Sequence, residues 1–130
     1  MIEIRYSNQE DVEIAASIEG LKHLHDAILA LIGRDIPEIY FDADRTIRPE
    51  PWKSVGRGLN VICKEKKPAR VSISKDGILT IEGSDENLEG FASFLLFAKE
   101  AANGSHSHFE FHEGNEYVAP DSIPLVISVR

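Results

Sequence analysis

Apolar and polar residues alternate from the first positions of the chain: Ile2 and Ile4 with Glu3 and Arg5, then Val12, Ile14 and Ala16 with Glu13 and Ala15. A period of two marks strands that bury one face, and Ser7-Asn8-Gln9-Glu10-Asp11 between them has turn composition, so an antiparallel hairpin is predicted. The period then changes. Ile18, Leu21, Leu24, Ile28, Leu31 and Ile32 recur three or four apart, the stripe of a helix lying on a core, with Ser17 as its N-cap, Glu19 complementing the helix dipole and Gly33 as a left-handed terminator. His23 and His25 in this helix point to different faces and read as solvated residues. Alternation returns at Pro37 to Asp42 and at Gly58 to Glu65.

The same succession follows again. Val71 and Ile73 alternate with Arg70, Ser72 and Ser74. Lys75-Asp76-Gly77 makes a tight turn, Ile78 to Gly83 a strand, and Ser84 or Asp85 caps a second helix whose stripe is Leu88, Phe91, Leu95, Ala98 and Ala102. Phe94, Phe97 and Ala101 add a second apolar flank, expected to pack inside the monomer. At an offset of 67 positions Val12 matches Leu79, Ile14 Ile81, Ser17 Ser84, Glu19 Glu86, Leu21 Leu88, Leu24 Phe91 and Ile28 Leu95. Farther on, Ile39 and Phe41 correspond to Phe109 and Phe111, and Leu59, Val61 and Cys63 to Leu125, Ile127 and Val129. The prediction is a single α+β domain over 1–130, built of two pseudo-symmetric ββαββ repeats, approximately 2–64 and 70–129, forming one mainly antiparallel sheet with two helices on one face.

Length and composition fit that picture. A chain of 130 residues with 42% hydrophobic and 28% charged residues can bury one core. No apolar run is long enough to cross a bilayer, and the first residues lack a signal-peptide pattern, so no membrane partner is expected. The one cysteine, Cys63, reads as core-facing and suits a reducing, cytoplasmic setting. A net charge of -8 disfavours nucleic acid as a partner and favours a cationic one, although acidity also simply keeps proteins soluble.

Two stretches carry candidate chemistry. Ala43 to Gly58 has breakers at Pro49, Pro51, Gly56 and Gly58 and is predicted as an irregular loop; it holds the only tryptophan, Trp52, among Arg45, Arg48, Lys53 and Arg57. Trp with Arg is the composition of binding hot spots, while a core-closing Trp52 is the plainer reading. In the second stretch, alternation from Ser105 to Glu113 sends His106, His108, Glu110 and His112 to one face. Such a face could hold zinc and serve a metal-dependent hydrolase, or could be a solvated polar surface. Alternate residues on a strand stand roughly 6.5 Å apart, so only neighbouring pairs can share an ion. The matching first-half positions are Glu38, Tyr40 and Asp42. No nucleophile elbow, phosphate loop, Cys-x-x-Cys or His-Glu-x-x-His is present in the chain.

The C-terminal stretch then runs His106-Ser107-His108-Phe109-Glu110-Phe111, followed by Gly114-Asn115-Glu116-Tyr117-Val118-Ala119-Pro120-Asp121-Ser122-Ile123-Pro124-Leu125-Val126-Ile127. This aromatic strand followed by Tyr-x-Ala-Pro-x-Ser-x-Pro-Leu-Val resembles small bacterial immunity proteins of polymorphic toxin systems, over about the last sixty residues. The first half departs from it, with the Trp52 loop standing in place of the Tyr-x-Ala-Pro segment. The resemblance implies a non-enzymatic protein, monomer or homodimer, that binds and neutralises a protein toxin. Charge adds that the toxin is basic. The expected contact residues are Glu38, Tyr40, Asp42 and Glu110, on a sheet face made acidic by Glu3, Glu13, Glu38, Asp42, Glu82 and Glu110 against Arg5, Lys64 and Arg70, together with Trp52 of the loop. Helix residues such as Glu89 are expected to lie outside that surface.

Overall fold

The computed structural model describes residues 1–34, 37–65, 67–114 and 117–130. Lys66, in the Lys64-Glu65-Lys66-Lys67-Pro68 stretch whose composition predicts a charged turn, and Asn115 and Glu116 of the C-terminal motif lie outside the described residues. The order of elements is β1 (Glu3–Ser7), β2 (Asp11–Ala16), α1 (Ile18–Gly33), β3 (Glu38–Asp42), β4 (Ser54–Val55), β5 (Gly58–Cys63), β6 (Arg70–Ile73), β7 (Ile78–Gly83), α2 (Asp85–Ser93), β8 (His106–Phe109) and β9 (Leu125–Val129).

The α+β class stands, but the strands form two mixed sheets where one mainly antiparallel sheet was expected. The first has the order β4-β1-β2-β9-β8 and the second β3-β5-β7-β6. Neighbours are antiparallel except at the centre of each sheet, where β2 runs parallel to β9 and β5 parallel to β7. The reason for the correction is the destination of each helix. α1 leaves β2 in the first sheet and delivers the chain to β3 in the second, and α2 carries it from β7 in the second to β8 in the first. Alternation specifies which face of a strand is buried, not which strand lies beside it.

Both sheets turn their apolar faces to one shared core. Ile4, Val12, Ile14, Leu125 and Ile127 from the first sheet and Leu59, Val61, Val71, Leu79 and Ile81 from the second are buried together with Leu21, Leu24 and Ile28 of α1 and Leu88 and Phe91 of α2. The two helices also touch each other. Ser17 caps α1 by accepting the Gly20 N–H at 3.0 Å, and Ser84 caps α2 by accepting that of Asn87 at 3.3 Å, which satisfies one orphan donor in each first turn.

Other local expectations met mixed outcomes. Gly77 takes φ +86° in the β6–β7 turn, as the Asp-Gly pair suggested. Gly33 is the last residue of α1 and not a left-handed terminator; Arg34, with φ -102°, ends the helix by donating its N–H to Ala30. The segment after Pro51 is less irregular than expected, because Ser54 and Val55 pair with Tyr6 and Arg5 as an edge strand. Most changed is α2, which stops at Ser93 instead of running to Ala102. Its last N–H bonds shorten to three-residue spacing, from Phe94 to Phe91 and from Leu95 to Ala92, and the Ser107 hydroxyl donates to the Phe94 carbonyl. Leu95 is buried as its place in the stripe implied, but a non-helical turn puts it there.

Candidate functional site

The expected contact residues stand at three places in the fold. On β3, an edge strand of the second sheet, Glu38, Tyr40 and Asp42 alternate outward and are exposed. Tyr40 lies over Gly58, where any Cβ would collide with its ring, and its hydroxyl points to the Arg57 carbonyl at 3.4 Å. Trp52 is half-buried in the loop before β4, an edge of the other sheet, in a turn closed by its own N–H on the Pro49 carbonyl. Glu110 follows β8 at that sheet's opposite edge.

Of the carboxylates expected to make a sheet face acidic, Glu3, Glu13 and Glu82 are matched by nearby cations. Glu82 meets Lys64 at 2.7 Å and Arg70 at 3.2 Å. Hydrogen bonding from the Lys64 ammonium, with Arg70 adding to it, lowers the Glu82 pKa below the ordinary glutamate range. A depressed folded-state pKa contributes stability that is fully present above the unfolded value, about 4.3, and is lost as pH falls through the folded value. Glu82→Gln is therefore expected to lower the urea midpoint more at neutral pH than in acid, where the wild-type carboxyl is itself protonated. An equal loss at both would remove the charge from the explanation.

On the outer face of the first sheet, Arg5 bonds Glu3 at 2.8 Å and lies 3.6 Å from Glu13, while its Nε donates to the Arg48 carbonyl. Glu13 also accepts from the Ser128 hydroxyl at 3.0 Å and from Arg130 at 3.1 Å. Glu13, Ser128 and Arg130 border a hollow that His106 and His108 overlook, with their rings 5.1 Å apart edge to face. His106 and His108 stand together at this hollow; β8 ends at Phe109, and beyond it Glu110 and His112 line a second depression together with His108. Glu110 and His112 stand 3.8 Å from each other. Among the described residues no group of three or more His, Cys, Asp or Glu side chains is placed to hold a metal ion. Cys63 is half-buried, its thiol donating to Asp85 at 2.6 Å.

A larger groove opens between the helices. It encloses about 820 Å³ and is lined from α1 by His25 and Leu29, from α2 by Glu86, Glu89 and Gly90, and beyond them by Phe94, Glu110, His112 and Tyr117. Its floor is aromatic. Phe109 takes Phe91 edge to face at 5.1 Å and Phe94 at 5.2 Å, each pair adding about 0.5–1.5 kcal/mol to the burial itself. Leu29 and Phe94 remain 37% exposed and Tyr117 63%, so apolar surface converges here. Sequence reasoning did mark Phe94 as part of a flank wider than a sheet covers, but assigned it to internal packing. Leu29 carried no local signal, and Tyr117 stood out only as the first residue of the C-terminal motif, because the groove exists only where α1 meets the C-terminal segment.

Two mixed sheets and a helix pair around a shared core, with an open groove between the helices, define an α+β protein. Residues 78–129, which run from β7 through β9, match the family model of Immunity protein 32. The resemblance read from the C-terminal motif is thus found independently over nearly the same stretch. Comparison with curated proteins and with solved structures gave no match.

Proposed function

We propose that this protein is a non-enzymatic binding protein that neutralises a basic protein toxin by covering part of its surface. The observation that carries the reading is the match of residues 78–129 to Immunity protein 32, since a family of that description implies a toxin as partner. The net charge of -8 supports a cationic target, because opposite charge speeds encounter and association of this kind slows as salt screens it over about 8 Å at physiological ionic strength. The test is co-expression. A toxin encoded beside this gene should arrest growth alone and fail to do so when the chain is co-produced, and the two proteins should co-elute. Arrest that continues in the presence of abundant folded chain would overturn the reading.

The same reading extends to the first half, as a second copy of the matched unit. Several backbone bonds recur at the 67-residue offset in support. Leu21 donates to the Ser17 carbonyl as Leu88 does to that of Ser84, and Gly56 donates to Ile4 as Ile123 does to Val71. The central parallel pairs agree in register as well, Val12 with Leu125 and Ile14 with Ile127 in one sheet, Leu79 with Leu59 and Ile81 with Val61 in the other. Each sheet would then combine the hairpin of one copy with the last two strands of the other.

A further inference from the structure

We propose that the groove between α1 and α2 docks a protein segment that presents one large apolar side chain flanked by lysine or arginine; that the toxin supplies this segment rests on the function proposed above. Single exposed hydrophobic residues are ordinary, but Leu29, Phe94 and Tyr117 expose apolar surface into one depression of about 820 Å³, the size of a pocket that takes an anchor side chain. Charge decides what flanks the anchor. Glu86, Glu89 and Glu110 stand on the lining, and among the described lining residues there is no lysine or arginine. Elsewhere the carboxylates of Glu3, Glu13 and Glu82 are already met by Arg5, Arg130, Lys64 and Arg70, so a cationic partner gains less there. Apolar floor with acidic wall calls for an apolar residue between cations. A segment carrying its own carboxylates would bring like charges together as it entered.

The probe is a random-peptide phage library, selected on the whole chain and then assayed on three variants. Selected peptides should carry an aromatic or large aliphatic residue beside lysine or arginine. They should bind Glu89→Lys/Glu110→Lys and Leu29→Gln about tenfold or more weakly than wild type, and Glu38→Lys/Asp42→Lys no differently. Leu29 lies partly exposed on a helix flank, so its variant keeps the test valid if the charge-reversed pair folds poorly. Peptides without that signature, or indifferent to both groove variants, would overturn the assignment. In cells, protection lost in the groove variants and kept in the Glu38/Asp42 variant supports the groove as the toxin's site. Protection that survives the groove variants removes the toxin from this groove and leaves the proposed function standing. A wild-type chain that protects against nothing removes that function and the toxin as occupant, while the peptides still decide the groove's preference.

Discussion

Phe91→Ala is expected to lower the free energy of unfolding by about 3–5 kcal/mol, as aromatic-to-alanine truncations in cores do. Phe91 is fully buried on α2, and its ring closes edge to face on Phe109 at 5.1 Å, so truncation forfeits both apolar burial and that ring pair and leaves a cavity at a helix–sheet junction. Marginal stability of roughly 5–15 kcal/mol makes this a large share of the whole. Leu96→Ala serves as the comparison, because Leu96 is 48% exposed and should cost about 0.5 kcal/mol or less. Urea unfolding of the two variants measures the difference. Comparable losses would mean that the α2 side of the core is not packed as described. The consequence reaches the candidate site, since Phe91 lies beneath the groove and its loss would loosen the Phe109–Phe94 floor as well.

Glu13→Ala is expected to cost about 3 kcal/mol, at the lower end of what breaking a buried ion pair costs. Arg5 and Glu13 face each other across β1 and β2, and both are more than nine-tenths buried. Without Glu13, Arg5 keeps Glu3 and the Arg48 carbonyl but loses one of its two nearby carboxylates, and the Ser128 hydroxyl and Arg130 lose their acceptor. Arg5→Met/Glu13→Leu should recover most of the loss, because the two most deeply buried charges go together and the partners they leave, Glu3 and Arg130, are the more exposed. A double variant less stable than Glu13→Ala would instead show that the pair contributes net stability. Chemical unfolding of the three proteins at one pH decides between them.

The two perturbations separate the parts of the acidic surface. Glu3, Glu13 and Glu82 belong to internal bookkeeping of charge, held by cations on the same strands or the next. Glu86, Glu89 and Glu110 stand around an apolar groove, and Glu38 and Asp42 on the open edge of β3, with Asp42 only loosely approached by Arg45 at 4.0 Å. Counting charges along alternating strands could not make that distinction, because it depends on which cation lies beside each carboxylate. On the groove proposal the expected indifference to Glu89 reverses, because α2 forms one wall of the groove.

What the sequence determined by itself is what short-range periodicity encodes. The alternation of Ile2 to Ala16, the stripe of Leu21, Leu24 and Ile28, the serine caps and the Asp76-Gly77 turn fixed nearly every element, which face of it is buried, and a C-terminal motif that a family model also matches. What tertiary structure alone decided is adjacency. Val12 lies beside Leu125 and Leu79 beside Leu59, contacts between residues far apart in the chain that no local pattern specifies, and from them follow two sheets instead of one. At the end of α2 the Ser107 hydroxyl, distant in sequence, takes up the Phe94 carbonyl, and the groove depends on Leu29 meeting Phe94 and Tyr117. A hydrophobic pattern says that a side chain must leave water; only the packed chain says against what, and where apolar surface is left over for a partner.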